Sequence, residues 1–449
     1  MNEVTVGLDI GTSSVKAVAA DGDGNVVASS RVPHSVRVPA PGRFEHDAAV
    51  AWRAGPLAAL AALGDLDVRG VSVSAMVPSL AAVDDDGTPR PWGLLYGDER
   101  GSTGQDAMGD DIASGGFVGF LRWLAAHAHE PRGFWPAQTV ANYALSGRAV
   151  LDTTTAALAY PLFDWTGWDE ELAREIGVQV AQLPSLVPTG WQAGRVGDGG
   201  PALASGCVDA FAEQLVAGAD RVGDVLVLLG TTLLVWVVND ADAAVPGYLT
   251  VPHTVPGQYL IGGPSNAGGL FRDWVTRMLG DAGAPLQDAR RVPVWAPYPR
   301  GERVPLNDPT RRATLDALDL THGPASVRRA ADEASAFVVR RVIEAAVAHA
   351  GVTPRRVVAS GGGTRVDDWV QALADGTDLP VECVAVPEGA ALGSAWLARL
   401  AAGLEDTMAM TDARRWARSG RRFEPRRAWV TATAQRYRRF LALSERAEV

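Results

Sequence analysis

The feature that most constrains this chain is a short unit that occurs twice: an apolar, β-branched run, a Gly-Thr turn, and a second apolar run. Near the start it reads GLDIGTSSVKAVAADG, and later it reads VLVLLGTTLLVWVVND. Aligning Ile10-Gly11-Thr12-Ser13 with Leu229-Gly230-Thr231-Thr232 puts a hydroxyl-bearing turn between two strand-forming segments in both copies. A chain built on such a repeat is expected to form two α/β halves whose turns face each other across a cleft. The copies differ just before the turn, where Asp9 in the first is replaced by Leu228 in the second. If both turns hold phosphates through backbone N–H and hydroxyl groups, only the first can also handle a metal ion, which needs hard oxygen ligands. Taken alone, Asp9 is equally a turn former.

With 449 residues and 47% apolar content, the chain exceeds what one core usually organises, so two domains are expected. The formal net charge of −11 argues against a general basic surface for nucleic acid or anionic lipid. Cys207 and Cys383 are the only cysteines and lack metal-ligand spacing, which points to neither a disulfide framework nor a zinc site and fits a reduced, cytoplasmic setting. MNEVTVGLDI goes directly into a strand pattern with no leader-like segment, and the greasiest run, Val225 to Val238, is interrupted by GTT and shorter than a spanning helix of ~20 residues. No membrane partner is expected.

VTVGLDI, SVKAVAAD and NVVASSRV read as three strands of a meander, with DGDGN as the tight turn between the last two. GPLAALAALG reads as a helix, VRGVSVSAM and LAAVDDDGTPRP as strands, and FLRWLAAHA, PAQTVANYALSG and DEELAREIG as helices, the second of these stopping at Gly147. The second half orders a strand, a Gly-rich turn and a helix in GQYLIGGPSNAGGLFRDWVTRMLG. An irregular loop follows in VWAPYPRGERVPLNDPTRRA, then a long helix PASVRRAADEASAFVVRRVIEAAVAHAG. VTPRRVVASGGGTRVDDWVQALADGTDLPVECVAV repeats strand, Gly turn, helix and strand before the small-residue helix EGAALGSAWLARLAAG.

GLDIGTSSVKAV, GRFEHDAAVAW, LLYGDERG, GRAVLDTTTAAL, GCVDAFAEQLVAG, GTT, SNAGGLFRDWV, YPRGERVPLNDPTRRA, SGGGTRVDDWVQALAD and EGAALGSAWLA follow one another in an order that resembles the FGGY family of carbohydrate kinases, over roughly residues 3 to 400. No one of these segments is specific; their order is. The resemblance implies an α/β architecture of two actin-like (ribonuclease H-like) domains, with mixed sheets flanked by helices around a central cleft. The expected boundaries are 1–240 for sugar binding, the first phosphate turn and the base, and 241–449 for nucleotide binding, with the last helix allowed to pack back on the first domain.

The resemblance also implies roles for single residues. Asp209, in GCVDAF, would be the general base that accepts the proton as a sugar hydroxyl attacks the γ-phosphate, whereas its bland reading is a helix-start carboxylate. Asp9 would hold Mg²⁺ through water. Gly11, Thr12, Ser13, Gly230 and Thr231 would meet the phosphates of ATP, with Lys16 a basic neighbour or a solvated strand residue. Gly268 and Gly269 would flank the cleft, and Gly362 and Gly363 would allow close backbone approach to adenine and ribose; such glycines are often only turn devices. Asp367 would lie near the adenine or be a first-turn helix charge. For the sugar, Tyr96 would pack against it and Asp98 would accept its hydroxyl bonds, the alternative being a surface turn with an Asp98-Arg100 pair. The xylulokinase Gln-Met-His run is here Ser74-Ala75-Met76-Val77-Pro78, which puts Met76 at the sugar. The Arg-Glu pair of glycerol kinases is absent, and Ala210 follows Asp209 where pentulose kinases commonly have Asn.

The expected activity is therefore ATP-dependent, Mg²⁺-requiring phosphorylation of a small sugar or polyol, with a ketopentose of the xylulose or ribulose type leading. A homodimer is allowed. Two rivals remain at this point: an ATP-gated binding or sensing protein on the same fold, which would need no base beside a sugar pocket, and a degenerate kinase that binds sugar without turnover. Most of the 14 tryptophans are expected in the core.

Overall fold

A computed structural model of the chain describes residues 3–445 except 91, 102–115, 254, 256, 282, 285, 309, 387 and 407–413. Pro91, at the end of an expected strand segment, and Pro309, in the irregular loop, lie outside the described residues. The chain divides into two compact units: Met1–Val216 with Glu388–Trp416, and Ala217–Pro387 with Ala417–Val449. The division falls upstream of residue 240, because the second strand–turn–strand copy belongs wholly to the second unit. The helix that returns to the first unit is Gly389–Ala401, while the final helix, Arg427–Glu445, stays with the second.

In the first unit, strands Val4–Ile10, Ser14–Ala20 and Val26–Pro33 form the expected antiparallel meander. Val4–Ile10 also pairs in parallel with Val68–Ala75, which in turn carries Ala202–Ala204 and Cys207–Val208 on its far side. The first strand is buried along its whole length, which is why it reads as an unbroken apolar run rather than an alternation. Helix Gly389–Ala401 covers this strand so closely that a Cβ on Gly7 would lie 1.7 Å from the carbonyl oxygen of Ala391. The small residues of EGAALGSAWLA are what permit that approach. A smaller five-stranded sheet, from Val36–Arg37 through Glu45–His46, Gly93–Leu95 and Ser79–Val83 to Gly133–Trp135, completes the unit with its flanking helices.

The second unit repeats the arrangement. Strands Asp224–Leu229 and Leu233–Asn239 pair antiparallel around Gly230-Thr231-Thr232, and Asp224–Leu229 pairs in parallel with Arg356–Ser360. The full order is Leu249–Pro252, Tyr259–Ser265, Leu233–Asn239, Asp224–Leu229, Arg356–Ser360, Val381–Val384 and Ser419–Phe423. The 27-residue helix Pro324–Ala350 and helix Asp367–Thr377 pack on it around Phe337, Val339, Val370 and Leu373. Among the described residues, no helix is long and apolar enough to cross a membrane.

Candidate active site

Asp9 is buried near the end of its strand, opposite Ser74 of the neighbouring strand, and the turn that follows is closed by a hydrogen bond from the Gly11 N–H to the Ser14 carbonyl at 3.1 Å. On the far side of Val68–Ala75, Cys207 pairs with the same Ser74 and Val208 with Ala75, so Asp209 begins its helix, Asp209–Ala217, one residue beyond. Asp9 and Asp209 thus emerge from strands two places apart, about 10 Å between backbones at the usual strand spacing. Their charges interact. Close surrounding protein is the first cause that pushes the Asp209 carboxyl up to about 7, although the side chain keeps some exposure, and the negative charge of Asp9 is the second. The Ala210 N–H, donating to Asp209 Oδ1 at 2.7 Å, opposes the shift. Lys16 Nζ stands 3.4 Å from Asp9 Oδ2, so the Lys16 position is a partner of Asp9 rather than a fully solvated strand residue.

Among the described residues, no group of three or more His, Cys, Asp or Glu side chains could hold a metal. Two mutually repelling carboxylates with no third ligand fit a cation that keeps most of its water and takes its remaining oxygens from phosphates, which is the habit of Mg²⁺. The donor set of Asp9 and Asp209 suits that ion and would not suit zinc.

The Gly11-Thr12-Ser13 turn is held from two sides. Tyr96 Oη lies 2.5 Å from Thr12 Oγ1, and His46 Nε2 lies 2.9 Å from the Thr12 carbonyl oxygen. Since His46 Nδ1 accepts the indole N–H of Trp52 at 3.0 Å, the proton of the neutral ring sits on Nε2, which donates to Thr12. Burial, then the neighbouring His34, lowers His46 to about 4 and keeps it neutral. The GRFEHDAAVAW segment contains both His46 and Trp52, yet neither ring was assigned a role from sequence. The signal available was a polar pair of the right types on a strand and the turn of helix after it.

The acceptor-side residues are bonded within the protein. Asp98 is fully buried, and its oxygens are occupied within the protein: Oδ1 by the Arg100 backbone N–H and Nε at 2.9 Å, Oδ2 by the Phe44 N–H and Arg100 Nη2 at 2.7 Å. A carboxylate offers about four acceptor positions, so Asp98 has none left for a sugar hydroxyl. Arg100 continues to Glu45 at 2.7 Å, which makes Asp98-Arg100-Glu45 a buried tie between LLYGDERG and GRFEHD rather than an exposed ion pair. Tyr96, expected to pack against the sugar, directs its hydroxyl to Thr12. Met76 is buried, its N–H donating to the Ile10 carbonyl, and Ser74 is buried with its hydroxyl 3.3 Å from the Leu8 carbonyl.

In the second unit the Gly230-Thr231 turn packs against the turn before helix Gly269–Leu279. The Gly269 N–H donates to the Gly230 carbonyl and the Leu270 N–H to the Thr231 carbonyl, at 2.9 and 3.0 Å. A Cβ on Gly268 would sit 2.3 Å from the Thr232 backbone, so glycine is needed there for the close approach. The fully buried Glu302 holds this region from below, accepting from the Ser265 hydroxyl at 2.7 Å and the Asn266 N–H at 3.0 Å, and burial pushes its carboxyl up to about 7. Like His46 and Trp52, Glu302 lies in a family segment, YPRGERVP, whose local pattern gives it no role. Gly362 and Gly363 lie in the short helical turn after Arg356–Ser360; Gly362 is open, whereas a Cβ on Gly363 would strike Trp369. Asp367 is exposed at the start of its helix and pairs with Arg421.

Two units that each pair a meander, a Gly-Thr turn and a parallel strand define the two-domain actin-like class of sugar kinases, in mixed α/β sheets flanked by helices. Residues 4–206 match the FGGY family of carbohydrate kinases, N-terminal domain, and residues 225–402 match its C-terminal domain. The chain belongs to the FGGY family of carbohydrate kinases, ATP-dependent phosphotransferases with an alcohol group as acceptor. It is 25% identical to the xylulose kinase of Escherichia coli (strain K12), covering 90% of this chain and 91% of that protein. It is 28% identical to the glycerol kinase of Rhodospirillum centenum, covering 95% of each. The crystal structure of xylulose kinase from Rhodospirillum rubrum superposes with a TM-score of 0.77 over 98% of both chains at 26% identity. Family membership disposes of the ATP-gated binding protein as the leading alternative.

Proposed function

We propose that this kinase phosphorylates a small sugar, in the first place a ketopentose of the xylulose or ribulose type, using ATP with Mg²⁺ and Asp209 as general base. The observation that carries this reading is Asp209 itself: a carboxylate beside Asp9, raised to about 7, stands poised to take up a proton at neutral pH. As the sugar oxygen forms its bond to the γ-phosphorus, the bond from that phosphorus to the ADP oxygen breaks and the hydroxyl proton passes to Asp209. Thr12, Ser13 and Thr231 offer the hydroxyl donors that orient phosphate oxygens, on turns that the Gly11 and Gly230 N–H groups close by bonding to the Ser14 and Thr232 carbonyls, and Lys16 adds positive charge beside Asp9. Gly268 and Gly269 shape the second turn; Gly362 leaves room for adenine and ribose, near Asp367, while Gly363 lets this turn pack against Trp369 and Leu229. Mg²⁺, when bound, would neutralise phosphate charge, and Asp9 with Asp209 would hold it through water. Xylulose and glycerol kinases are matched at similar identity, so overall similarity favours neither acceptor.

The test is a screen of ketopentoses, polyols and sugar acids for ADP production by the purified protein. Sugar-dependent ADP release with a ketopentose best supports the reading; a polyol or sugar acid best would replace the acceptor class. ADP release that no acceptor stimulates would leave only the degenerate kinase.

A further inference from the structure

Away from the nucleotide turns, the second unit carries a concave pocket of about 310 Å³ lined by Arg221, Arg355, Arg356, Pro380, Glu382 and Arg422. Four guanidinium groups gather there in a chain whose net charge is −11. They divide into two kinds. Arg356 is clamped by Asp224 at 3.1 and 3.0 Å, by the Gly218 carbonyl at 3.0 Å and by Glu382; Arg422 is clamped by Glu382 and Glu424, each at 2.6 Å. Arg221 and Arg355 are exposed, and the side chain of neither makes a hydrogen bond or ion pair with a described residue. The carboxylates at the site, Glu382 in the lining with Asp224 and Glu424 behind it, are thus already occupied by the clamped pair. Two guanidinium forks remain without a hydrogen-bond partner among the described residues beside the clamped pair, and four arginines against three carboxylates leave the site net positive.

Within the second unit, the sheet places this pocket at the end opposite the Gly230-Thr231 turn. Arg221 precedes strand Asp224–Leu229, Arg355 and Arg356 open strand Arg356–Ser360, and Pro380 precedes Val381–Val384, so the lining gathers at the starting ends of three mutually parallel strands. Gly230-Thr231 and Gly361 to Gly363 follow the opposite ends. A six-residue strand spans roughly 20 Å, which separates the pocket from the nucleotide turns.

We propose that the pocket is a second anion site, distinct from the nucleotide turns, that takes the phosphate of a small phosphorylated metabolite. Free guanidinium forks match phosphate oxygens bidentately, and the clamped pair pre-orients the rest of the lining. The volume suits a small metabolite and falls at the lower end for ligand pockets, roughly 300–1,000 Å³. The acidic balance of the chain outside the pocket disfavours a polynucleotide.

The test is calorimetric titration at constant ionic strength with inorganic phosphate, pyrophosphate and the sugar phosphate the enzyme produces. Each probe is added to the wild type, to Arg221→Ala/Arg355→Ala and to Thr231→Val. The expected result is saturable binding that weakens at least tenfold in the double arginine variant and persists in Thr231→Val. Both arginines are exposed, and a thermal unfolding scan checks that the variant keeps its fold. Phosphate and sugar phosphate binding alike would assign recognition to the phosphate group alone; tighter sugar phosphate would add contacts to its carbon skeleton. Saturable binding absent from the wild type with all three probes, or undiminished in the arginine variant, would overturn the proposal.

Discussion

The indole N–H of Trp52 donates to Nδ1 of His46 at 3.0 Å, and through it fixes which nitrogen of that ring faces the Gly11-Thr12-Ser13 turn at Thr12. The ring is held neutral because burial lowers it from 6.5 to about 4. The unfolded chain therefore binds a proton between those values while the folded chain does not. This contribution to stability is complete above pH 6.5 and is lost as pH falls toward 4, by about 3 kcal/mol for a shift of that size. Asp209 and Glu302, raised to about 7, act in the opposite sense over an overlapping range, so wild type must be compared with His46→Gln, which keeps both terms. The wild type's stability relative to that variant should decline by about this amount from pH 7 to pH 4 in urea unfolding. A difference independent of pH would show that His46 is not held neutral.

Asp209→Asn should keep nucleotide and sugar binding while kcat falls roughly 10²–10⁴-fold, the usual scale for a lost general base. Steady-state kinetics together with binding titrations check this. Turnover near that of the wild type would remove Asp209 from the base role.

Asp9→Ala should raise the Mg²⁺ concentration needed for half-maximal turnover, because its carboxylate is the hard oxygen present in one turn and absent from the other. Thr231→Val should instead raise KM for ATP through a lost phosphate contact. A Mg²⁺ titration of Asp9→Ala that overlays the wild type would exclude the metal assignment.

Asp98→Ala should damage folding more than sugar recognition. Arg100, a tenth exposed, would keep only Glu45, and removing one partner of a buried ion pair costs about 3–5 kcal/mol. Denaturant unfolding should show the loss, with KM for sugar little changed in the folded protein. Wild-type stability with a large rise in sugar KM would return Asp98 to the substrate.

The enzyme should use D-xylulose poorly relative to D-ribulose, L-ribulose or simple polyols. Where xylulokinases carry Gln-Met-His, this chain has SAMVP, with the Ser74 hydroxyl already 3.3 Å from the Leu8 carbonyl and Met76 buried. A buried sugar hydroxyl left without a partner costs ~1–3 kcal/mol, or roughly one to two powers of ten in kcat/KM. Comparing kcat/KM across these acceptors decides it, and a clear preference for D-xylulose would refute the argument.

Local pattern was enough to determine the meander, the duplicated Gly-Thr turn, the helix stop at Gly147 and the long helix Pro324–Ala350, because strand and helix periods and turn chemistry act over a few residues. The order of the motifs likewise carried the family. What only the tertiary structure decided are the questions that depend on which distant groups meet. Phe44 and Arg100 meet Asp98 with four hydrogen bonds that its place in LLYGDERG does not announce. Tyr96 met Thr12 rather than open solvent, and His46 and Trp52 acquired a role only through their mutual hydrogen bond. The same holds for the division of the chain, where Gly389–Ala401 returns to the first sheet because Gly7 lets its backbone come near. Hydrogen-bond saturation and close packing are properties of pairs, and the members of these pairs lie too far apart in sequence for any local pattern to couple them.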